Sequence, residues 1–445
     1  MELKGKKVLL VGLGILGGGV ATAKWLLERG TVLTITDLKD SEHLKPSLEK
    51  LEDLKDRIKF VLGEHQEEDF LDNEIIVINP DVPADNKFVK LAREAGKQIE
   101  NELTLFYKFC PSKKIIAITG TRGKTTTTNW IAHFLKSKNS DTLILGNSPD
   151  KPLLQEIKKC DENTDVVMEV PSFLLEICDK SKFTPHIAVI TNLYRDHLNR
   201  HKDMNGYAKA KANVFKYQKE DDLLVLNKDN EWTDFFLAQK PKAQVLFFSE
   251  ENLAIDKEKF IKQWGIHNLL NFAAASSVAL ALGLSVEEIK EQIPNLPQMK
   301  FRQERIFENE KLAIFNDTAA TSPEALTAAM ERFSSSNEKI IFISGGTDRE
   351  LDFKSWAKEA KKSAKPENLI LLSGSATEKM KKELGWDKFS EFDSLEKCLE
   401  KALKIVKTEN KSKIIFSPGA KSFEKFKNEF DRGEQFNLLV SKILH

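Results

Sequence analysis

The chain carries no net charge: 68 lysines and arginines are matched by 68 aspartates and glutamates in 445 residues. Without a surplus of either sign there is no long-range field to collect nucleic acid or an anionic membrane, so any anionic ligand must be held by local geometry. No apolar run is long enough to span a bilayer, and Met1-Glu-Leu-Lys-Gly leads into a strand without a signal-like segment, which points to the cytoplasm. The four cysteines, Cys110, Cys160, Cys178 and Cys398, are too few for a disulfide scaffold and too scattered in sequence for a zinc site. Low-complexity segments are also missing. What is present, 41% hydrophobic residues, fills ordinary cores, and the length suits about three domains.

The most informative stretch is Ile115-Ile-Ala-Ile-Thr-Gly120-Thr-Arg-Gly123-Lys124-Thr125-Thr126. Its apolar start predicts a buried strand, and Trp130, Ile131, Phe134 and Leu135 recur at helical spacing beyond Thr125. Gly120 and Gly123 let successive backbone N–H groups turn into one concavity, to which the helix N-terminus adds partial positive charge. Phosphate suits that concavity: Lys124 reaches the outer phosphates, and the Thr125 hydroxyl a phosphate-bound Mg²⁺. Only Thr121 and Arg122 separate the glycines where the strict phosphate-loop pattern has four residues, so this is a shortened form.

A second glycine loop lies near the N-terminus. A strand at Lys6–Val11 is followed by Gly12-Leu-Gly14-Ile-Leu-Gly17-Gly18-Gly19 and a helix through Trp25, Leu26 and Leu27. The next strand, Val32–Thr36, ends at Asp37, 20 positions after Gly17. This is dinucleotide-binding spacing, with glycines for the turn and an acid for a ribose; alone it argues for NAD, although spacing does not fix the nucleotide. The strand Ile75–Ile78 ends in Asn79-Pro-Asp-Val-Pro83, a loop at the edge where such sheets bind ligands.

Beyond a composition break at 96–111, strands at 165–170, 187–191, 223–227 and 245–249 belong with the phosphate loop. After Pro294-Asn-Leu-Pro297, strands at 312–315, 340–343, 369–372 and 414–416 form a third group. Each is a short apolar run ending in polar residues, which predicts an α/β protein of three tandem units with parallel sheets. Ser322-Pro323-Glu324 opens a helix whose buried stripe is Leu326, Ala329, Met330 and Phe333.

Polar residues gather at the strand ends. Glu169 reads either as a second Mg²⁺ ligand or as a solvated strand-end acid, and His197, after Thr191-Asn-Leu-Tyr-Arg-Asp196, as a metal ligand or a satisfied polar side chain. Lys211, 14 positions later, lies on a helical stretch whose lysines read as a solvated face. Asp317, Thr321, Asp348, Arg349 and Ser422 occupy strand-end loops of the third group, each a weak signal by itself.

Taken in this order, the pieces resemble the Mur ligases, ATP-dependent amide-forming enzymes that build the peptide of the bacterial cell wall, over essentially the whole chain. The resemblance implies a UDP-substrate-binding Rossmann-like domain at 1–96, a central P-loop ATP-binding domain at 97–298, and a Rossmann-like domain at 299–445 that binds the incoming amino acid and closes over ATP. It implies ATP contacts from Gly120, Thr121, Arg122, Gly123, Lys124, Thr125 and Thr126, with Asn268, Asn271, Arg302 and Asp317 beside them. Thr125, Glu169, His197 and Lys211 would hold two Mg²⁺ ions, Lys211 as a carbamylated lysine, which overturns its solvated reading. Lys124, His197 and Lys211 would be catalytic. The same resemblance moves the first loop from NAD to UDP, with Ile15, Leu16, Asp37, Leu38, Asn147 and His197 on the UDP substrate.

Within the family, the N-terminal glycine unit, the Asn79–Pro83 loop and Ser417-Pro-Gly-Ala-Lys-Ser-Phe…Phe426-Lys…Arg432-Gly…Phe436 are most similar to members that join D-glutamate to UDP-N-acetylmuramoyl-L-alanine through an acyl phosphate. Thr321, Arg349, Ser422 and Phe423 would grip the glutamate, and a monomer is expected. The chain departs from the family at Pro171 and Leu174, where Glu-x-Ser-Ser-Phe or Trp-Gln is usual, and at Ala319, where many members carry lysine. Three alternatives stay open: a Mur-type ligase of different amino-acid choice, a chain that binds nucleotide without ligating, and a Rossmann dehydrogenase with an appended ATPase.

Overall fold

Three sheets organise the computed structural model, which describes residues 2–146, 152–178, 182–251, 253–334, 338–406 and 411–444. The first contains β1 Lys7–Val11, β2 Val32–Asp37, β3 Ile58–Leu62, β4 Ile75–Ile78 and β5 Gln98–Glu100, in the order β3-β2-β1-β4-β5. The second contains β6 Lys114–Thr119, β7 Thr142–Leu145, β8 Asp165–Glu169, β9 Ile187–Ile190, β10 Leu223–Asn227 and β11 Gln244–Phe248, in the order β11-β10-β9-β6-β8-β7. The third contains β12 Glu304–Glu308, β13 Leu312–Asn316, β14 Lys339–Ser344, β15 Leu369–Leu372, β16 Ser390–Phe392 and β17 Ser412–Phe416, in the order β12-β13-β17-β14-β15-β16. The α/β class agrees with the sequence reading. One detail does not: β12 pairs antiparallel with β13, so the third sheet is not wholly parallel.

The chain divides into two compact units. One holds residues 1–257 and 268–296 with the first two sheets; the other holds 258–267 and 297–445 with the third. Residues 258–267, which fall in the middle of the chain's central stretch by sequence, pack with the second unit, where the Arg332 guanidinium donates to the Gln263 carbonyl at 2.7 Å. Among the described residues no helix is long and apolar enough to cross a membrane.

The helix Lys124–Lys136 buries Trp130, Ile131, Phe134 and Leu135, as its spacing predicts, and lies against β6, β7 and β8. The helix Pro323–Ser334 likewise buries Leu326, Ala329, Met330 and Phe333, and Ser322 Oγ accepts from the Ala325 N–H at its start. The first two sheets are tied together by Arg200. Its guanidinium donates to the Asp81 and Val82 carbonyls, in the loop after β4, and makes two 2.8 Å bonds to Glu176. The Asn79–Pro83 loop is therefore part of a seam between sheets as well as an edge loop.

Candidate active site

β6 lies where the strand order of the second sheet reverses, with β8 on one side and β9 on the other, and a sheet of this kind binds ligands at the carboxyl ends of its strands at that point. The glycine loop sits there. Gly120 has φ +145° and Gly123 φ +83°, and a Cβ would come within 1.9 Å of Thr191 Oγ1 at the first and 2.0 Å of Asn271 Oδ1 at the second. Both positions therefore require glycine for backbone conformation and for space.

The loop's shape is fixed from β9. Asn192 accepts the Arg122 N–H on its side-chain oxygen at 2.9 Å and the Thr121 N–H on its carbonyl at 3.0 Å, while Thr191 Oγ1 donates to the Arg122 carbonyl at 2.7 Å. Sequence reasoning passed over Thr191 and Asn192 as loop supports; their place directly after an apolar strand was the available signal. Thr126 is buried at the foot of the helix, and the Asn271 amide donates to Asn268 at 2.8 Å.

Lys124 Nζ folds over the loop, donating to the Gly120 and Thr121 carbonyls at 3.1 Å, and lies 4.0 Å from Glu169. Thr125 Oγ1 donates to Glu169 at 2.7 Å. A hydroxyl and a carboxylate in contact beside a phosphate-shaped loop are hard oxygen donors of the kind Mg²⁺ takes when substrate phosphates and water complete its shell. Among the described residues no three His, Cys, Asp or Glu side chains form a metal cluster.

Lys211 is the largest correction to a reading by composition. Neighbouring Lys209 is exposed, but Lys211 is 1% exposed, donates to the Gly120 carbonyl at 2.9 Å and stands 4.5 Å above the Tyr207 ring. Burial, helped by nearby Lys124, holds its amine well below the ordinary lysine range. His197 lies on the same cluster, its ring 6.0 Å from that of Tyr207, with φ +52° in the left-handed region. His201, which the sequence did not single out, stacks on Tyr207 at 5.0 Å and bonds Ser172 Oγ at 2.9 Å.

The first glycine loop is built differently. Asp37 is buried, and its carboxylate accepts from the Leu13 N–H at 2.8 Å, the Gly14 N–H at 3.0 Å and the Lys39 N–H at 2.9 Å. The acid that spacing assigned to a ribose latches its own loop. Ile15, Leu16 and Leu38 are exposed around it. The glycine that admits close helix packing is Gly19, where a Cβ would meet the Leu13 carbonyl oxygen at 2.1 Å. Asn147 lies outside the described residues.

In the second unit, Thr321, Arg349, Ser422 and Phe423 come to one region. The Arg349 guanidinium lies 4.7 Å over the Phe423 ring, and Lys421 Nζ donates to Thr321 Oγ1 at 3.2 Å. Asp317 is buried, with Ser417 Oγ donating to it at 2.7 Å and the Gln303 N–H at 3.0 Å; burial pushes its carboxyl up to about 7. Both its oxygens thus have partners within the unit, while Arg302 is exposed.

Residues 6–101 match the family model for the N-terminal domain of MurD-like Mur ligases, and residues 118–279 match that for the Mur ligase middle domain. The chain is 35% identical to the UDP-N-acetylmuramoylalanine–D-glutamate ligase of Roseiflexus sp. (strain RS-1) over 99% of both chains. It belongs to the Mur ligase family. The enzyme of the same name from Clostridioides difficile (strain 630) is 33% identical over 100% of both chains. Among solved structures, the MurC ligase of Thermotoga maritima has a TM-score of 0.59 at 19% identity, covering 98% of this chain and 100% of that one. MurF of the same organism, in complex with ADP, has a TM-score of 0.57 at 17% identity, covering 99% of this chain and 96% of that one. At these identities the likeness carries the Mur ligase fold.

Proposed function

We propose that this Mur ligase joins D-glutamate to UDP-N-acetylmuramoyl-L-alanine with cleavage of ATP to ADP and phosphate, as a step of peptidoglycan precursor synthesis in the cytoplasm. The observation that carries the reading is the braced glycine loop with Lys124 over it, in a chain similar from end to end to ligases of that name. The substrate carboxylate attacks the γ-phosphate of ATP, and the amine of D-glutamate then displaces phosphate from the acyl phosphate. Lys124 offsets charge on the phosphoryl oxygens, and the N–H groups of the helix start orient them.

Thr125 and Glu169 are the residues that would hold Mg²⁺, which when bound screens charge on the phosphate oxygens. For a second ion the candidates are His197 and Lys211. A free ammonium repels a cation, but a buried amine held below its ordinary pKa is the form that adds carbon dioxide, and the resulting carbamate is an oxygen ligand. Three functional domains, at 1–96, 97–298 and 299–445, accord with the three sheets except that β5, Gln98–Glu100, carries the first beyond residue 96. The first takes UDP at exposed Ile15, Leu16 and Leu38 beside the Asp37 latch, and the last takes the amino acid at Thr321, Arg349, Ser422 and Phe423.

Phosphate release with ATP, UDP-N-acetylmuramoyl-L-alanine and a panel of amino acids tests the reading. Turnover is expected with D-glutamate and not with L-glutamate, D-alanine or L-lysine; release with a different amino acid alone would replace the substrate, and release with none would overturn the ligase assignment.

A further inference from the structure

Lys421 belongs to the turn after β17, and its place there is fixed from three sides. Its backbone pairs with Thr347, N–H to carbonyl at 3.1 Å in one direction and 2.8 Å in the other. Its carbonyl and that of Ala420 each accept from Arg432 Nη1 at 3.1 Å. Arg432 is fully buried, and it also donates to Thr318 Oγ1 and to the Thr318 carbonyl at 2.9 Å. One guanidinium thus ties the turn carrying Lys421 to the turn carrying Thr321, and the Lys421 ammonium meets the Thr321 hydroxyl at 3.2 Å.

The hydrogen-bonding inventory of this corner is lopsided. An ammonium has three donors and no acceptor, and Thr321 takes one of the three. Among the described residues Lys421 makes no ion pair, although the chain is rich in carboxylates. The next residue, Ser422, is 2% exposed, and its hydroxyl has no partner among the described residues. Lys421 and Ser422 line one closed cleft with Thr347 and Arg432; it is too tight for a water molecule, so a ligand that reaches the Ser422 hydroxyl must open it. Glu424 also lines it, but its carboxylate is engaged by the N–H and hydroxyl of Ser375. A buried hydroxyl without a partner costs about 1–3 kcal/mol, and a half-buried ammonium facing only a hydroxyl is similarly undersatisfied. What such a site lacks is a group that only accepts. A carboxylate is that group, with two oxygens to share among Nζ, Thr321 Oγ1 and Ser422 Oγ. Arg349, held over Phe423, supplies a second cation nearby.

We propose that Lys421 is a substrate-binding residue, its ammonium and the hydroxyls of Thr321 and Ser422 taking one carboxylate of the incoming amino acid while Arg349 takes the other. This rests on the reading that the second unit binds a dicarboxylic amino acid, and it adds the residue that makes the site selective for the second acid group.

The test is steady-state phosphate release by the full chain with D-glutamate varied at saturating ATP, and with ATP varied at saturating D-glutamate. In Lys421→Met, which keeps the stem and removes the charge, the D-glutamate KM should rise about 20-fold or more while the ATP KM stays within about twofold. Selectivity for D-glutamate over D-2-aminobutyrate, which has one carboxylate, should fall by a similar factor, and Lys421→Arg should recover part of both. An unchanged D-glutamate KM in Lys421→Met, or equal rises for D-glutamate and ATP, would overturn the assignment of Lys421 while the wild-type reaction still depended on D-glutamate. Wild-type turnover independent of D-glutamate would instead overturn the substrate reading, and this assignment with it.

Discussion

The two glycine loops of the first unit share a plan, strand then glycines then helix, yet they end in opposite chemistry. At β1 the donors of the loop are consumed internally, because Asp37 accepts from Leu13 and Gly14, and what faces outward is Ile15, Leu16 and Leu38. At β6 the loop is held from outside by Thr191 and Asn192, and two lysine amines converge on the Gly120 carbonyl, that of Lys124 at 3.1 Å and that of Lys211 at 2.9 Å. A loop whose own carboxylate neutralises its donors is suited to an apolar or ring-shaped group beside it. A loop at a helix start with two lysine amines over it is suited to phosphate. Glycine spacing is the same kind of signal in both; what the folded chain sets against each loop, a buried carboxylate at β1 and two amines at β6, tells them apart.

Removing the cation is the strongest way to break this contrast. Lys124→Ala should lower ligation on the order of a hundredfold or more, since a charge aimed at phosphoryl transfer is lost, while the affinity for UDP-N-acetylmuramoyl-L-alanine by titration calorimetry stays within about twofold. Turnover near wild type would mean that the β6 loop is not the phosphate site.

Next in size is a matched pair of glycine substitutions. Gly123→Ala meets Asn271 Oδ1 at 2.0 Å and should raise the ATP KM by about tenfold or more, whereas Gly17→Ala has φ +98° but nothing within 4 Å of the added Cβ. The latter should cost only about 1–2 kcal/mol of stability in denaturant melts and leave the ATP KM alone. Equal effects on ATP would erase the distinction between the loops.

The latch itself is tested by Asp37→Asn. It exchanges a charged acceptor of three N–H bonds for a neutral one, so stability should drop by about 1–3 kcal/mol and the KM for the UDP substrate should rise with the ATP KM unchanged.

The smallest expected effect concerns Lys211. Its folded-state pKa is depressed by burial, so between the folded and unfolded values the unfolded chain binds the extra proton and stability rises with pH. Below that window the protonation penalty is complete; above the unfolded pKa, near 10.5, it vanishes. In bicarbonate-free buffer Lys211→Met should therefore melt above wild type at neutral pH and lose the margin as pH approaches 10.5. A margin that grows with pH would contradict the buried amine. Labelled bicarbonate should give wild type a ¹³C carbamate signal that the variant lacks.

The interior of each sheet was legible in the sequence, whereas of the six edge strands only β11 was. Every strand with neighbours on both sides appears as an apolar run bounded by polar residues. The five unread strands, β3, β5, β7, β12 and β16, all lie at sheet edges. Their burial is mixed, as in β12, where no residue is fully buried, because one flank faces water and the hydrophobic pattern weakens. The glycine turn, the place of Lys124 and Thr125 at a helix start and the capped helix at Ser322 could be read because each is a local feature, set by φ, by a cap or by the adjoining helix. Composition and spacing could not decide Lys211, Asp37 or Lys421. Lys211 and Lys209 are two positions apart on one helix, and only the packing of that helix against Gly120 buries the first amine and leaves the second in water. Asp37 is a strand-end acid whichever partner it takes, and the return of the Leu13–Gly14 backbone to it settles that partner. Lys421 sits 100 residues from Thr321 in sequence; a buried arginine brings the two turns together, and no local pattern records a contact made through a third residue.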